Sequence, residues 1–451
     1  MRHGIARGRD ASCPDQALPR RALLFALSLA AIPLSAWAQA PGDDREQLRK
    51  RIDDLEQRVR ELESTSVLSE PETRVKRIET WVDDDGVEHD TPAPGTRRVV
   101  TYQRERVYRR QTINEKIEDA LSDAEGRRVQ LGVNAAIVLQ SARQAEGSDT
   151  QADGNAYQLA STDLYFTAGL ARYTVFFADI VGLSGTPSDA EINGLTLLNG
   201  YTARLVEQNQ LNLREAWLLT ELWSQQLTLV AGRVDLTNYF DNNAAANDET
   251  AQFLSDALVN NPTLGLSENG AGVAAWYDRK TGFKLKFGYQ QSSSTATNLS
   301  DALFFLSEAD YQWTPPGLGE GNYRLWYRND NSNGDDRSAS GVSIDQKISA
   351  AVTLFGRYGS AESPAGRDRF YSGGAQFRRG VVFNPDDAWG IGYARYALGA
   401  GDEERLIEFY YNLGIARKLH LSVNLIYVTE APAGTESVAY FVPGARLQAA
   451  F

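Results

Sequence analysis

Arg324, Trp326 and Arg328 stand at alternate positions of one segment, and Glu408 with Tyr410, Glu215 with Trp217, and Arg446 with Gln448 repeat that spacing elsewhere. Side chains two apart on an extended strand share a face, so each set aims arginine, carboxylate or aromatic groups in one direction. Together such groups suit a polyhydroxylated solute. Aromatic rings stack on the apolar faces of pyranoses, while arginine and carboxylate exchange hydrogen bonds with hydroxyls. Neighbouring opposite charges also cancel the field that would select an ion. Groups that merely brace and solvate an interior would carry the same pattern.

Catalytic and metal chemistry have little to work with. His3, His89 and His420 are the only histidines, and they assemble no Ser/His/Asp or His-metal constellation. The acidic runs Asp83-Asp84-Asp85 and Asp335-Asp336 read as calcium ligands or, more simply, as turns. No phosphate-cradling glycine motif occurs. The expectation is a protein that is not an enzyme, with no catalytic residue, metal or cofactor; an enzymatic barrel built on His420 is the remote alternative.

The segments that carry the polar sets alternate with period two. In Phe283-Lys284-Leu285-Lys286-Phe287-Gly288-Tyr289 the odd positions are apolar and the even ones are Lys, Lys and Gly. Leu164, Phe166, Ala168 and Leu170 share a face, as do Ile407, Phe409, Tyr411 and Leu413, and Leu421, Val423, Leu425 and Tyr427. Strands apolar on one face and polar on the other suit lipid outside and water inside. If Tyr323, Leu325 and Tyr327 face outward, Arg324, Trp326 and Arg328 face inward; by the same parity Phe355, Arg357, Glu408, Tyr410, Asn412, Arg446 and Gln448 face inward. Around residues 212–223 the expectation is Ala216, Leu218, Thr220 and Leu222 outward, with Glu215, Trp217, Glu221 and Trp223 inward. The fold class is all-β, a transmembrane antiparallel β-barrel. At roughly 20 residues per strand and connection, residues 127–451 make about 16 strands, with 18 the nearest competitor. Residues 238–269 break the alternation, and Phe253, Leu254, Ala257 and Leu258 fall there at helical spacing. A loop this long caps the barrel or folds into the lumen, and its apolar stripe favours the lumen.

The chain ends Ala445-Arg446-Leu447-Gln448-Ala449-Ala450-Phe451, an alternating strand closed by an aromatic, similar to the assembly signal of outer-membrane barrels. At the other end Arg20 and Arg21 precede an apolar run, residues 22–36, and Ala36-Trp37-Ala38 supplies a small-residue exit. Residues 1–38 therefore read as a signal peptide, a run under 18 residues with Pro33 being a poor membrane anchor. The single cysteine, Cys13, lies within that segment. Losing residues 1–38 deepens the formal net charge from −13 to about −16, which argues against nucleic acid as a partner.

Residues 42–64 place Leu48, Ile52, Leu55, Val59 and Leu62 at 4-3-4-3 spacing, a short α-helical coiled coil. Its β-branched and leucine core positions favour two strands, whereas Arg51-Ile52-x-x-Leu55-Glu56 and Arg58-Val59-x-x-Leu62-Glu63 resemble a trimer-specifying pattern. Residues 65–126 form a densely charged module, with two strands about the acidic turn at 83–86 and a helix over residues 113–124. Arg97, Arg98, Arg104, Arg106, Arg109 and Arg110 cluster there, either as a solvated face or as a contact with cell wall or lipopolysaccharide.

Beyond these patterns, Leu213-Arg214-Glu215-Ala216-Trp217, then the run from Gly232 through Arg233, Asp235 and Asn238 to Asp241, and then NAAANDETAQF at residues 243–253, resemble the carbohydrate-selective porin family. Gly321-Asn322-Tyr323-Arg324-Leu325-Trp326-Tyr327, Ser343-Ile344-Asp345-Gln346-Lys347, Leu354-Phe355-Gly356-Arg357-Tyr358-Gly359, Asn384-Pro385-Asp386-Asp387 and Glu408-Phe409-Tyr410-Tyr411 follow in that family's order. The resemblance spans nearly all of residues 127–451. It departs at Asn384, where members often carry Arg, and at residues 424–432, which lack the usual Gln and Asn-Pro. It implies a 16-stranded outer-membrane porin, with Arg and Glu at its narrowest part, passing monosaccharides or other small solutes by diffusion. Implied partners are outer-membrane lipid, the barrel assembly machinery through Phe451, and two further copies, since trimeric porins supply the symmetry a trimeric coiled coil needs. An anion or organic-acid porin using the inward arginines, and an envelope tether with its N-terminal segment in the periplasm, are the alternatives.

Overall fold

A strand apolar on alternate residues needs two surroundings at once, and a sheet that closes on itself provides both. The computed structural model describes residues 129–451 except 148–151, 172, 294–300, 332–335, 381–386 and 417. It also describes the backbone of three earlier strands and residues 116–117 and 120–121. The chain divides at residue 61; residues 1–61, which include the expected signal peptide and nearly all of the coiled coil, lie outside the described residues.

In the second unit β1 (Thr73–Val82), β2 (Glu88–His89) and β3 (Arg97–Arg106) form an antiparallel sheet in the order β2-β1-β3. The wall follows as β4 (Val129–Ser141), β5 (Arg143–Glu146), β6 (Ala156–Ala171), β7 (Thr174–Thr186), β8 (Leu211–Leu222), β9 (Leu227–Val234), β10 (Gly270–Asp278), β11 (Phe283–Gln291) and β12 (Leu303–Trp313). It continues through β13 (Gly321–Asp330), β14 (Arg337–Lys347), β15 (Val352–Ser363), β16 (Gly366–Arg378), β17 (Ala388–Ala397), β18 (Glu403–Ala416), β19 (Leu419–Ala431) and β20 (Val438–Ala450). Each strand pairs with the next and β20 returns to β4 and β5, which are one strand interrupted at Ala142, so the barrel has 16 strands. Phe451 completes the seam: its N–H donates to Val133 O at 2.8 Å and its carbonyl accepts from Val133 N at 3.2 Å.

The wall is polar inside and apolar outside, the reverse of a water-soluble protein. Leu325 is 61 % exposed and Leu139 52 %, whereas Glu408 and Arg446 on the opposite face are fully buried. Among the described residues no helix is long and apolar enough to cross a membrane, which says nothing of a strand-built wall. Connections at the end where the chain terminates are short, such as residues 223–226 and 348–351; the longest, 187–210 and 235–269, lie at the other, loop end. One expectation fails here. Trp223 does not enter the lumen, because β8 stops at Leu222 and left-handed φ values at Trp223, Ser224 and Gln225 turn the chain, leaving the indole 70 % exposed.

Candidate functional site: a loop held inside the barrel

Residues 235–269 leave β9 at the loop end and fold into the lumen. Asp235 starts the turn by accepting hydrogen bonds from Thr237 N at 3.1 Å and Thr237 Oγ1 at 2.5 Å. A single helical turn, Asp256–Val259, follows Phe253, and the apolar side chains of this stretch lie against the wall. Phe253 meets Tyr410 edge-on at 4.8 Å between ring centroids and Phe355 at 5.6 Å. Leu258 sits over Gly392, where an added Cβ would come within 2.9 Å of it. Glycine thus leaves room for the loop, a close approach of the kind that strand glycines mark.

Polar groups from several strands of the wall grip the loop. On β15, Arg357 donates to the carbonyls of Ala246 (2.5 Å), Leu258 (2.9 Å) and Asp241 (3.1 Å) and to Asn247 Oδ1 (3.1 Å), and its Nε lies 2.8 Å from Asp241 Oδ2. The Trp326 indole N–H donates to the other oxygen of Asp241 at 2.8 Å. Arg324 holds Asp345 at 2.9 Å, and the same carboxylate oxygen accepts from Ala244 N at 3.2 Å. Arg328 donates to Leu264 O at 2.7 Å. Farther round the wall on β18, Glu408 accepts from Leu254 N (2.6 Å), Ser255 N (2.9 Å) and Ser255 Oγ (2.6 Å). Arg446 donates to the carbonyls of Glu249 and Gln252, the latter at 3.1 Å. At the loop's root, Glu215 accepts from Asp235 N (3.2 Å), Asn238 Nδ2 (2.8 Å) and Trp217 Nε1 (3.2 Å), and Trp217 stacks on Phe177 at 4.7 Å.

Arg324, Trp326, Arg328 and Arg357 on β13 and β15, Glu408, Tyr410 and Arg446 on β18 and β20, and Glu215 and Trp217 at the root are thus buried and inward, unlike Trp223. Glu408, Arg446, Arg328 and Arg357 spend their hydrogen bonds chiefly on residues 235–269; Arg357 is paired with Asp241, while Glu408 and Arg446 are satisfied by neutral hydrogen-bonding groups of the loop and wall. Residues not foreseen complete the network. Lys286 Nζ lies 2.6 Å from Glu308 Oε1 and 2.8 Å from Asp310 Oδ2 and donates to Tyr239 O at 2.9 Å, while Glu308 accepts from Asp241 N at 2.6 Å. Its signal was available in the alternation of Lys284 and Lys286. Arg204, from residues 187–210, bridges Asp163 at 2.6 Å and Glu249 at 2.8 Å. Nothing in local spacing marks it, because its partners come from two other segments. A bulge in β8 turns Arg214 inward beside Glu215, where it pairs with Asp235 at 2.6 Å.

Residues 187–210 overlie this loop. Gly200 N donates to Leu254 O at 2.6 Å and Asp256 N to Leu197 O at 2.8 Å. Asp189 binds its own segment through Leu198 N (2.5 Å) and Thr202 Oγ1 (2.9 Å), and burial lifts its carboxyl to about 7. Nearer the chain-terminal end, Ala120 and Leu121 join the buried inward cluster of Tyr165, Val175, Phe177 and Trp217, with Ile117 packed against it. Part of the segment that precedes β4 thus occupies the barrel interior.

The overall fold of the closed 16-stranded wall recurs among solved structures. Pseudomonas putida OprB in its high-pH structure superposes with a TM-score of 0.60, covering 75 % of this chain and 96 % of OprB at 15 % identity. The fold is that of a porin. In its low-pH structure OprB matches this porin fold with a TM-score of 0.50 over 75 % of the chain and 95 % of OprB, at 14 % identity. No protein-family model matches the chain. An uncharacterised protein of Aquifex aeolicus (strain VF5) is 26 % identical over 192 residues, 43 % of this chain; the chain spans 56 % of that relative's length.

Proposed function

We propose that this porin-fold chain is an outer-membrane channel through which small hydrophilic solutes diffuse passively, sugars foremost, with residues 235–269 setting the constriction. The observation that carries the reading is the charge-matched loop. Arg357 with Asp241, Arg324 with Asp345, Lys286 with Glu308 and Arg204 with Glu249 place paired charges through the interior, so little net field is left to favour one ion. Tyr and Trp rings and hydrogen-bonding side chains in the same space suit an uncharged polyol. The reading takes Arg324, Trp326, Arg328, Arg357, Glu408, Tyr410, Glu215, Trp217 and Arg446 as the residues that shape the narrowest part, mainly by holding the loop. It takes the assembly as a homotrimer, Phe451 as the signal for insertion, and residues 42–64 as a periplasmic coiled coil.

Single-channel recording of the purified protein tests it. Reversible block by a sugar at about millimolar concentration, with little preference between anion and cation, is the expected result. Strong anion selectivity untouched by sugars would instead select the anion or organic-acid channel.

A further inference from the structure

We propose that the outer wall around Arg395 and Arg405 is a binding site for a phosphorylated lipid of the leaflet at the loop end. The two arginines are register partners on β17 and β18, on the outward face, a direct opposition of like charge that destabilises a sheet unless something anionic lies between. Glu403 lies 2.5 Å from each. One carboxylate for two guanidiniums leaves an excess positive charge, and the arginine side chains remain 43 % and 60 % exposed. Arg369, exposed on the same outer face of β16, adds a third cation.

Directly toward the middle of the wall the surface becomes apolar. Tyr371 pairs with Arg395 across β16 and β17, and Tyr393, Ile407 and Tyr427 form the next outward row, followed by Ile391, Phe409 and Leu425. Beside Tyr393 that row contains two paired glycines, Gly356 and Gly373, which open a shallow furrow bordered by Tyr358, Tyr371 and Leu354. Packing within the barrel does not demand them: a Cβ at Gly356 would meet only Ser372 O, at 3.7 Å, and one at Gly373 would come no nearer than 3.3 Å to Phe355 O. Glycine weakens a strand, and its use on a strand often marks close approach of something else. A cationic rim above an apolar furrow matches an amphiphile whose phosphate accepts from guanidinium N–H groups and whose acyl chain lies in the furrow. A second barrel would have to bury the arginines against apolar side chains, a desolvation cost that only an anion offsets.

Native mass spectrometry of lipid retained by the full-length protein after detergent exchange tests this. Wild type should retain a phosphorylated lipid; R395Q/R405Q should lower retention roughly tenfold or more, and Gly356→Leu should lower it by filling the furrow. Heat-modifiable gel mobility checks that each barrel is folded. If the arginine variant fails to fold, titration of delipidated wild type decides: binding of lipid A or phosphatidylglycerol that excess inorganic phosphate does not displace supports the site. Retention equal to wild type in folded variants, absence of phosphorylated lipid on wild type, or Gly356→Leu dissociating oligomers without changing lipid would each overturn it.

Discussion

Arg357 illustrates how one side chain can define an interior. Its guanidinium reaches three loop carbonyls, one loop amide oxygen and the Asp241 carboxylate, so truncation leaves a buried carboxylate without its counter-charge and several carbonyls without donors. Breaking such a pair costs about 3–5 kcal/mol, and Trp326 and Glu308 would remain as the other holds on Asp241. R357A should free residues 235–269, seen as higher and noisier single-channel conductance and as new proteolysis within the loop; unchanged conductance would mean that the loop is held elsewhere. Glu408 makes the complementary case, because three donors from Leu254 and Ser255 converge on it. E408A should destabilise the loop by about 1–3 kcal/mol for each donor left dry. Glu408→Gln, which keeps one carbonyl acceptor, should cost less in the same thermal denaturation series.

At the scale of elements, residues 187–210 and 235–269 act as two stacked layers inside one wall. Asp189 lies within the upper layer, and its carboxyl is raised to about 7 chiefly by burial, against hydrogen bonds from Leu198 and Thr202, with the nearby Asp256 carboxylate adding to the rise. A raised carboxyl binds its proton more tightly folded than unfolded. Its contribution is thus present in full below the ordinary carboxylate range and is lost as pH rises through about 7. The upper layer should therefore loosen toward alkaline pH, with proteolytic cutting of residues 187–210 rising through that window. D189N should flatten the profile; a profile unaltered by D189N would place the titration elsewhere.

For the whole molecule, two features outside the strands bear on how open the barrel interior is and how the wall closes. Leu121 and Ala120 pack into the inward cluster near the chain-terminal end, so L121D, which puts a charge among Tyr165, Phe177 and Trp217, should expel that segment and raise conductance several-fold in planar bilayers, an order-of-magnitude expectation from unpaired burial. At the seam, removing Phe451 deletes both hydrogen bonds to Val133. The truncated chain should insert more slowly into liposomes while reaching the same final heat-modifiable form.

The sequence by itself determined the wall, and with it the direction of side chains along each unbroken strand: alternation of period two has only two phases, so Leu325 outward obliges Arg324 and Trp326 inward, whereas the bulge that turns Arg214 inward has no mark in the alternation. It also marked residues 238–269 as a segment without that alternation, whose Phe253 and Leu258 needed an apolar seat. Parity failed at Trp223, since it holds only while the strand lasts and a turn with left-handed backbone ended β8 one residue earlier. What only the tertiary structure decided is which groups meet. Arg357 finds Asp241, Arg204 finds Asp163 and Glu249, and Glu408 finds the Leu254 and Ser255 amides across sequence separations that no local spacing encodes. Closure of the wall brings strands distant in sequence round one interior so that a loop is held by several of them, and that enclosure, rather than the residue types, turned a list of inward polar side chains into a clamp.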